Sequence, residues 1–378
     1  MKRVTKGYKY RIYPTEEQIV QIENTFGCKR FVYNYFLDMK INLYKSEKKS
    51  LSYNKCSEIL TSLKKEKQWL RNPDKFSLQN SLRDLETAYK NFFTEIKKGN
   101  KNQGFPKFKS KRNNYKSYTT NFTNKNIELN QEKNEIKLPK LKWVRCKIHR
   151  LFKGKIISAT IKKVPSGKYY VSLNVEGEHN TISKNNNSVG IDLGIKDLVI
   201  KSNGQVVENK KLTNKYQRIL AKLQRQLSKK EKGSKNFRKQ KIKVARLHEK
   251  IANIRKNHLH EISSQIVKEN QFIFSENLNI SKMLENKNLS KSIQDSSWYE
   301  FTRQLEYKSK WNDKIYHKVE IYYASSQTCN TCNYKNEELK NLSIRKWVCP
   351  NCNAEHDRDL NASINILKQG LKELKLEI

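Results

Sequence analysis

The sequence predicts a multidomain α+β protein, and three patterns along the chain indicate this. Apolar residues recur at spacings of three and four through roughly residues 15 to 98, which is typical of helices. Between about Ile127 and Val175 the apolar period shifts towards two, as expected for a small β-domain. After Ser188, strand-like and helix-like patterns alternate, and two Cys-x-x-Cys pairs follow. We therefore expect a helical lobe, a β-domain and a third unit that carries a metal-binding module.

The charge balance of the chain indicates a polyanionic partner. Its 378 residues include 78 Lys and Arg against 37 Asp and Glu, which gives a net charge of +41. Such a surplus requires either a polyanion or strong solvation. An AT-rich genome would enrich Lys and Asn, but it would also raise the number of Glu residues. Because acidic residues are not correspondingly abundant, codon bias alone does not explain the charge. Nucleic acid is the expected partner, and a merely soluble basic surface is the alternative.

The sequence predicts a cytoplasmic protein with no membrane partner. No apolar run approaches the ~18 residues of a membrane span, and the basic residues after Met1 are not followed by the apolar core of a secretory signal. Cysteines number seven. Four of them are clustered, while Cys28, Cys56 and Cys146 are isolated, so a reducing compartment fits better than a disulfide framework.

Several local signals predict elements in the first half of the chain. From Tyr8 to Tyr13, aromatic or apolar side chains alternate with basic ones, as in a strand. This strand could join the β-domain that follows the helical lobe in the sequence. Thr15 and Gln18 form a capping box at the start of the first helix. The basic, Phe-containing stretch from Gly99 to Ser117 suits binding to single strands or to a nucleic-acid backbone. A solvated linker is the alternative for this stretch.

The second half begins with a strand at Val189 to Gly194 and a hairpin turn at Asn203-Gly204. Two long helices with basic outer faces follow, separated by a break at Gly233-Ser234. We favour backbone binding along part of this helical hairpin, with simple solvation of the basic faces as the alternative.

Three further signals lead to the cysteines. Gln271 to Phe274 reads as a buried strand, Ser297 to Glu300 as a capping box that opens a helix, and Val319 to Tyr323 as a strand.

The most specific local motif is the cysteine cluster, which consists of Cys329, Cys332, Cys349 and Cys352. Its spacing is typical of a structural zinc site, and four thiolates leave no open position for catalysis on the metal. A redox-active cysteine pair is the alternative.

Three acidic residues stand where an RNase H-like nuclease needs them. Asp192 lies on the first strand of a hairpin-containing unit, Glu276 ends a later buried strand, and Asp359 begins a helix. Phosphodiester hydrolysis with two Mg²⁺ ions requires carboxylates from separate elements to converge. Taken singly, Asp192 could be an ordinary strand-end residue and Asp359 only a helix N-cap. Asp357 is a rival for the third role.

These motifs together resemble those of the TnpB proteins of insertion sequences, which are related to type V CRISPR effector nucleases. The resemblance covers nearly the whole chain. It includes the following segments: Tyr13-Pro14, Phe31 to Asn34, Lys75 to Leu82, Leu85 to Phe93, Gly104 to Pro106, Gly190 to Asp197, Trp298 to Tyr307, Ser325 to Gln327 and the run from Cys329 to Asp359.

The resemblance implies a specific domain organisation. A RuvC (RNase H-like) nuclease domain would span residues 185–324 and 356–378, with a Cys₄ zinc-finger module inserted at 325–355. A WED β-barrel would span residues 1–14 and 119–184, and an α-helical REC domain would be inserted at 15–118.

The resemblance also implies an activity, namely RNA-guided cutting of double-stranded DNA. A guide RNA would pair with the target, the protein would read a short flanking motif, and one monomer would act on one RNA. Asp192, Glu276 and Asp359 carry over as ligands of two Mg²⁺ ions, and one Zn²⁺ would be structural. Asp359 is preferred over Asp357 because it stands in the Asp-x-Asn-Ala pattern. Four residues in matching segments are candidates for motif reading, with ordinary surface polarity as the alternative: Tyr53, Lys75, Gln79 and Thr123.

Three other functions remain open on the sequence. The protein could be a nuclease-inactive, RNA-guided DNA-binding regulator, although the intact acids argue against this. It could be a miniature type V CRISPR effector, which would look nearly identical. It could also be a strand-joining transposase, but no Tyr or Ser stands in a recombinase-like setting.

Overall fold

A computed structural model describes residues 2–100, 104–112, 116–341 and 343–376. The chain divides into two compact units. Residues 3–178 form what we call the N-terminal unit, and residues 179–378, with the first two residues, form the C-terminal unit.

The N-terminal unit contains a seven-stranded sheet with the order β2-β6-β7-β1-β5-β4-β3. Its strands are β1 (Lys2–Tyr13), β2 (Lys116–Asn121), β3 (Glu128–Asn130), β4 (Glu135–Leu138), β5 (Lys142–Lys147), β6 (Lys155–Lys163) and β7 (Tyr169–His179). The first strand is longer than the sequence predicted and lies between β7 and β5. It therefore joins the later strands across the inserted helices, as expected.

Between β1 and β2, the described part of the chain contains three α-helices and a short 3-10 helix (Gln68–Arg71). The α-helices are α1 (Glu16–Glu47), α2 (Tyr53–Glu66) and α3 (Lys75–Lys97). The predicted capping box is confirmed, since Thr15 Oγ1 accepts from the Gln18 N–H at 3.3 Å and Gln18 Oε1 accepts from the Thr15 N–H at 3.0 Å. The apolar faces of the three helices meet in one buried cluster that includes Phe36, Leu60 and Leu82. Each such side chain contributes about 1.5–3 kcal/mol by burial.

The basic stretch is held against α1 where the structure describes it, and its residues 101–103 and 113–115 lie outside the described part. The Asn34 side chain bonds both backbone groups of Lys109, accepting from its N–H at 2.8 Å and donating to its carbonyl at 3.0 Å. The Lys109 ammonium lies 3.7 Å from the centroid of the Tyr33 ring. This part of the stretch is thus positioned by specific contacts.

The C-terminal unit is built on a five-stranded sheet with the order β10-β9-β8-β11-β12. Its strands are β8 (Ser188–Asp192), β9 (Asp197–Lys201), β10 (Val206–Glu208), β11 (Phe272–Ser275) and β12 (Ile315–Lys318). Strands β8, β9 and β10 are antiparallel neighbours, whereas β11 runs parallel to both β8 and β12. The predicted turn between β9 and β10 is confirmed, with Gly204 at φ 82°.

Helices connect these strands and cover the sheet: α4 (Leu212–Ser228), α5 (Lys235–Glu269), α6 (Ile280–Met283), α7 (Ser290–Ser296), α8 (Trp298–Trp311) and α9 (Arg358–Glu373). The helical hairpin of α4 and α5 has its predicted break, and Ser234 caps α5 by accepting from the Phe237 N–H at 3.1 Å. A two-stranded ribbon of β13 (Lys346–Val348) and β14 (Glu355–Asp357) belongs to the cysteine module.

The capping box predicted at Ser297 is wrong. Ser297 closes α7 as well as opening α8, and its backbone is left-handed with φ 54°. Its hydroxyl donates to the Gln294 carbonyl at 2.9 Å instead of accepting from the first turn of α8. The Glu300 carboxylate instead accepts from Arg303, at 2.8 and 2.9 Å.

The strand predicted at Val319 to Tyr323 is also wrong, because strand pairing ends at Lys318. The Val319 N–H still donates to the Ser275 carbonyl at 3.0 Å. Beyond that bond β11 has ended, so the next residues have no parallel partner and form turns, with Tyr322 at φ 74°. Periodicity alone could not locate the end of the neighbouring strand.

Within the described ranges, no helix is both long and apolar enough to cross a membrane.

Candidate functional site

The strand register places Asp192 beside Glu276. Strands β8 and β11 are parallel neighbours, and Ile191 is paired with Ser275. The next residue on each chain is Asp192 on one side and Glu276 on the other. Because the carboxyl ends of parallel strands meet at one edge of a sheet, two carboxylates stand side by side there.

Helix α9 brings Asp359 to the same edge. It packs on β8 at Gly190, where an added Cβ would lie 2.1 Å from the Ser363 carbonyl oxygen. Asp359 is one helical turn before Ser363 on the same face of α9, and Asp192 is two residues after Gly190 on the same face of β8. The close approach permitted by Gly190 therefore aligns the third carboxylate with the other two.

Two neighbouring side chains complete this arrangement. The Ser325 hydroxyl donates to Glu276 Oε1 at 2.8 Å. Arg345 Nη1 donates to both oxygens of Asp359, at 3.0 and 3.1 Å. Neither residue was predicted as part of the site, although Ser325 lies in one of the segments that carry the family resemblance. Arg345 is one of 78 basic residues, and nothing in its local sequence distinguishes it.

The electrostatics of the cluster disfavour simultaneous ionisation of all three carboxyl groups. Burial raises the pKa of Asp192 well above its usual range, and the neighbouring Glu276 and Asp359 raise it further. Burial also raises the pKa of Glu276, although the hydrogen bond from Ser325 opposes the shift. Close acidic groups with raised pKa values are typical of sites that hold a cation or exchange a proton.

The structure gives different positions to the two candidate third acids. Asp357 is the N-cap of α9, where its Oδ1 accepts from the N–H groups of Asp359 at 3.1 Å and Leu360 at 3.0 Å. Asp359 faces the other two carboxylates and contributes to the electrostatic shift at Asp192. The N-cap of α9 is therefore Asp357 and not Asp359, for which this role was the alternative interpretation.

The four clustered cysteines lie together, with their sulfur atoms all within 4.8 Å of one another. Cys329 Sγ is 3.7 Å from Cys352 Sγ, and Cys332 Sγ is 3.6 Å from Cys349 Sγ. Tetrahedral zinc with Zn–S bonds near 2.3 Å separates its sulfurs by about 3.8 Å. The donor set and its spacing are therefore compatible with one zinc ion.

Two similar turns carry these cysteines. The Asn333 N–H donates to the Cys329 carbonyl at 3.0 Å, and the Asn353 N–H donates to the Cys349 carbonyl at 2.9 Å. Both asparagines have left-handed backbones, with φ 61° and φ 56°. His356 Nε2 lies 3.0 Å from Cys329 Sγ, where its N–H can support a thiolate.

The cysteine module is fastened to α9 by amide side chains. Asn361 Nδ2 donates to the Thr328 carbonyl at 2.8 Å, and Asn361 Oδ1 accepts from the Asn330 N–H at 2.9 Å. Asn365 Nδ2 donates to the carbonyls of Thr328 at 2.6 Å and Ser325 at 2.9 Å. The helix that carries Asp359 therefore also positions the segment that carries Ser325.

The four motif-reading candidates lie in the N-terminal unit, around α3. Lys75 and Gln79 are one turn apart on this helix, and the Arg83 guanidinium lies 5.6 Å from the centroid of the Tyr53 ring. Thr123 is exposed just after β2. Strand β2 is tied to the start of α3 by the Thr120 hydroxyl, which donates to Asp74 at 2.7 Å. Their role in DNA reading stays a prediction.

Three family models match the chain. One described as "Probable transposase" matches residues 171–287, and one described as "Cas12f1-like, TNB domain" matches residues 298–366. A third, described as "Helix-turn-helix domain", matches residues 1–49. In this protein the last range contains one strand followed by one long helix.

Relatives match over nearly the whole length of the chain. A Streptomyces pristinaespiralis protein named "Putative RNA-guided DNA endonuclease" is 36% identical over 377 residues, which cover 98% of this chain and 90% of that protein. The chain belongs to the TnpB family. A second relative of this TnpB protein, "Putative RNA-guided DNA endonuclease InsQ" of Escherichia coli (strain K12), is 35% identical over 389 residues, covering 98% of this chain and 93% of InsQ.

The fold of this TnpB protein is also found in a solved structure. The Cas12f1 chain of a "Cas12f1-sgRNA-target DNA complex" superposes with a TM-score of 0.59, covering 96% of this chain and 98% of Cas12f1. Sequence identity over that match is 14%. At this identity the similarity establishes a shared fold.

Proposed function

We propose that this TnpB protein is an RNA-guided endonuclease that cuts double-stranded DNA by metal-dependent hydrolysis. The observation that carries the proposal is the convergence of Asp192, Glu276 and Asp359 at one sheet edge. The names of the relatives support the guided activity, and the charge of +41 suits a complex rich in phosphates. The sheet that carries the acids supports a RuvC-like assignment for most of the C-terminal unit.

The three carboxylates would hold two Mg²⁺ ions, because hard cations prefer oxygen ligands and relieve repulsion between close acids. Bound there, such ions supply an activated water and charge stabilisation at the leaving oxygen. Ser325 orients the Glu276 carboxylate by its hydrogen bond. Arg345, which pairs with Asp359, is placed to stabilise negative charge on the phosphate, as a guanidinium does well.

The cysteine module would bind one structural zinc through its four thiolates. Its role in the reaction is indirect, since it carries Arg345 and is continuous with the segment that carries Ser325. We assign the guide RNA and the target DNA as partners, with base pairing providing sequence specificity. Tyr53, Lys75, Gln79 and Thr123 remain our candidates for reading the flanking motif. The WED and REC ranges given above are part of the same proposal.

The test begins with the nucleic acid that copurifies with the protein. Sequencing this RNA identifies the guide, and a guide of chosen sequence then programs cleavage of a matching duplex with Mg²⁺. We expect Asp192→Ala to abolish cleavage while RNA binding persists. Asp357→Asn is the matched control, because asparagine is an equally good N-cap, and it should cut normally. If no copurified or supplied RNA supports cleavage by the wild type, the proposal is wrong.

A further inference from the structure

A groove opens beside the proposed nuclease site, within the C-terminal unit. It has a volume of about 560 Å³ and begins at Glu276. One wall is the segment after β11, which includes Asn277 and Asn279 in the loop and Lys282 on α6. The other wall is the segment of residues 319–327, which we call the groove loop.

The groove loop is anchored at both ends. At its start the Val319 N–H donates to the Ser275 carbonyl at 3.0 Å, one residue before Glu276. At its end the Ser325 hydroxyl donates to Glu276 itself at 2.8 Å. Between the anchors, Tyr323 packs against the apolar cluster that includes Phe274. The loop is thus held in place relative to the carboxylates.

Tyr322 is the exception within this anchored loop. Its side chain is 90% exposed, and its backbone is left-handed with φ 74°. The adjacent Ile321 is also 48% exposed. For a bulky non-glycine residue, this backbone conformation costs about 1–2 kcal/mol. Burial of the ring does not offset this cost, because the ring extends into solvent, where it is accessible to a partner.

The chemistry of the groove suits an unpaired nucleic-acid strand. An exposed tyrosine ring offers a stacking face to a base, and such stacking tolerates any base. Lys282, on the facing wall, is exposed and can contact a phosphate. A duplex cannot offer its bases in this way, because their faces are already stacked on one another.

We propose that Tyr322 stacks on a base of the unpaired DNA strand that is to be cut, while Lys282 contacts the backbone of that strand. The strand would then run along the groove and present a phosphodiester at Glu276. Tyr322 is in this sense a positioning residue, not a catalytic one. The inference rests on the proposed function, because it assigns the path of that activity's substrate.

The first test is single-turnover cleavage by the RNA-loaded protein. Stacking on one base predicts that Tyr322→Ala slows cleavage by about tenfold, whereas Tyr322→Phe retains the rate. Lys282→Ala should slow cleavage less. Tyr299→Ala is the matched control, because Tyr299 is 69% exposed in the same unit but lies outside the groove lining. A wild-type rate for Tyr322→Ala would overturn the inference while leaving the nuclease assignment intact.

The second test does not depend on cleavage. DNA carrying 5-iododeoxyuridine in one strand or the other is photocrosslinked to the RNA-loaded Asp192→Asn protein, and the modified residue is identified by mass spectrometry. We expect crosslinks at Tyr322 and none at Tyr299, and the labelled strand that reacts identifies the occupant. A single-stranded oligonucleotide with the same label is tested alongside. Crosslinking at Tyr322 without any wild-type cleavage would contradict only the proposed function, and its absence in every sample would sink the inference.

Discussion

At the residue scale, the adjacent carboxyl groups of Asp192 and Glu276 lower the stability of the folded protein at neutral pH, although the proposed cleavage requires both of them. Burial raises the pKa of both groups in the folded protein. The charges of Glu276 and Asp359 raise the pKa of Asp192 further, and the charge of Asp359 also raises the pKa of Glu276. An acidic group whose pKa is higher in the folded than in the unfolded protein contributes to stability at pH values below its unfolded pKa. This contribution is lost as the pH rises through the folded pKa. At neutral pH the ionised site is therefore a source of instability that a bound cation would relieve.

We predict that Asp192→Asn abolishes cleavage but raises the thermal midpoint of the metal-free protein at pH 8. The neutral amide removes one of the repelling charges without changing the size of the side chain. The gain should shrink as the pH falls towards about 4, where an ordinary aspartic acid begins to take up a proton. Differential scanning fluorimetry in EDTA across a pH series measures both effects. An unchanged or lower midpoint at pH 8 would contradict the electrostatic account.

Asp357 and Asp359 should respond differently to substitution although they are two residues apart. Asp359→Asn should abolish cleavage, because it removes a proposed metal ligand. Asp357→Ala should leave the chemistry in place but cost about 0.5–2 kcal/mol of stability through the lost N-cap of α9. Cleavage assays and urea unfolding of the two variants separate these outcomes. A nuclease that tolerates Asp359→Asn would show that the third acid has been misassigned.

At the scale of elements, the contact between α9 and β8 sets the geometry of the site. Gly190 lies against backbone atoms of α9, and an added Cβ would be 2.1 Å from the Ser363 oxygen and 2.7 Å from the Leu367 nitrogen. Backbone on both sides leaves no flexible side chain to move aside, so the helix itself must shift.

We predict that Gly190→Ala destabilises the protein by about 1–3 kcal/mol, as overpacked cores do, and lowers cleavage more than this loss of stability explains. The added effect on activity follows because the shift separates Asp359 from Asp192. Gly27→Ala is the control, since an added Cβ at this helical position meets no atom within 4 Å. Chemical unfolding and single-turnover rates, measured below the unfolding transition, test the prediction. Activity that follows stability alone would argue against a geometric role for this contact.

The cysteine module should influence cleavage without taking part in it. Its strand β13 follows Arg345, whose carbonyl accepts from the Arg358 N–H at 2.8 Å, at the start of α9. We expect Cys349→Ser, or removal of zinc by a chelator that leaves Mg²⁺ in place, to reduce cleavage and to increase hydrogen exchange in residues 325–357. The isolated Cys146→Ser variant serves as the control. Full activity of a metal-stripped protein would remove the proposed link between zinc and Arg345.

At the scale of the whole molecule, the charge of +41 requires a polyanionic partner or strong solvation, and the phosphates of the proposed RNA and DNA would supply the polyanion. The tip of the α4–α5 hairpin is one exposed concentration of this charge and includes Lys229, Lys230 and Lys232. These side chains are where we expect part of the RNA backbone to bind.

We predict that changing these three lysines to glutamate weakens guide RNA binding and lowers the magnitude of the slope of log K against log salt by about 2, because each of the three lost phosphate contacts removes about 0.7 of a released counterion on single-stranded RNA. Replacement by arginine keeps the charge and is the control. Filter binding across a salt series measures the slope. An unchanged slope for the glutamate variant would show that the hairpin tip is merely solvated.

Most of the local structure could be predicted from the sequence. The cap at Thr15, the turn at Gly204 and the break before Ser234 depend on neighbours within a few residues, and all three predictions are confirmed. The two failures have different causes, a missing strand partner in one case and a directly preceding helix in the other. The strand expected at Val319 to Tyr323 lacks a partner because β11 has already ended, and Ser297 is constrained by the helix before it as well as by the one after it.

The sequence by itself determined the family. It also predicted the two kinds of metal-ligand chemistry and the three acids that we propose as magnesium ligands, because residue type and spacing carry that information. Only the tertiary structure decided which residues meet. It placed Arg345 on Asp359 and Ser325 on Glu276, and it exposed Tyr322 beside the same edge. The physical reason is that these contacts depend on strand register and on the approach of α9 to Gly190. Register and helix approach arise from packing between segments far apart in the chain, which no local pattern encodes.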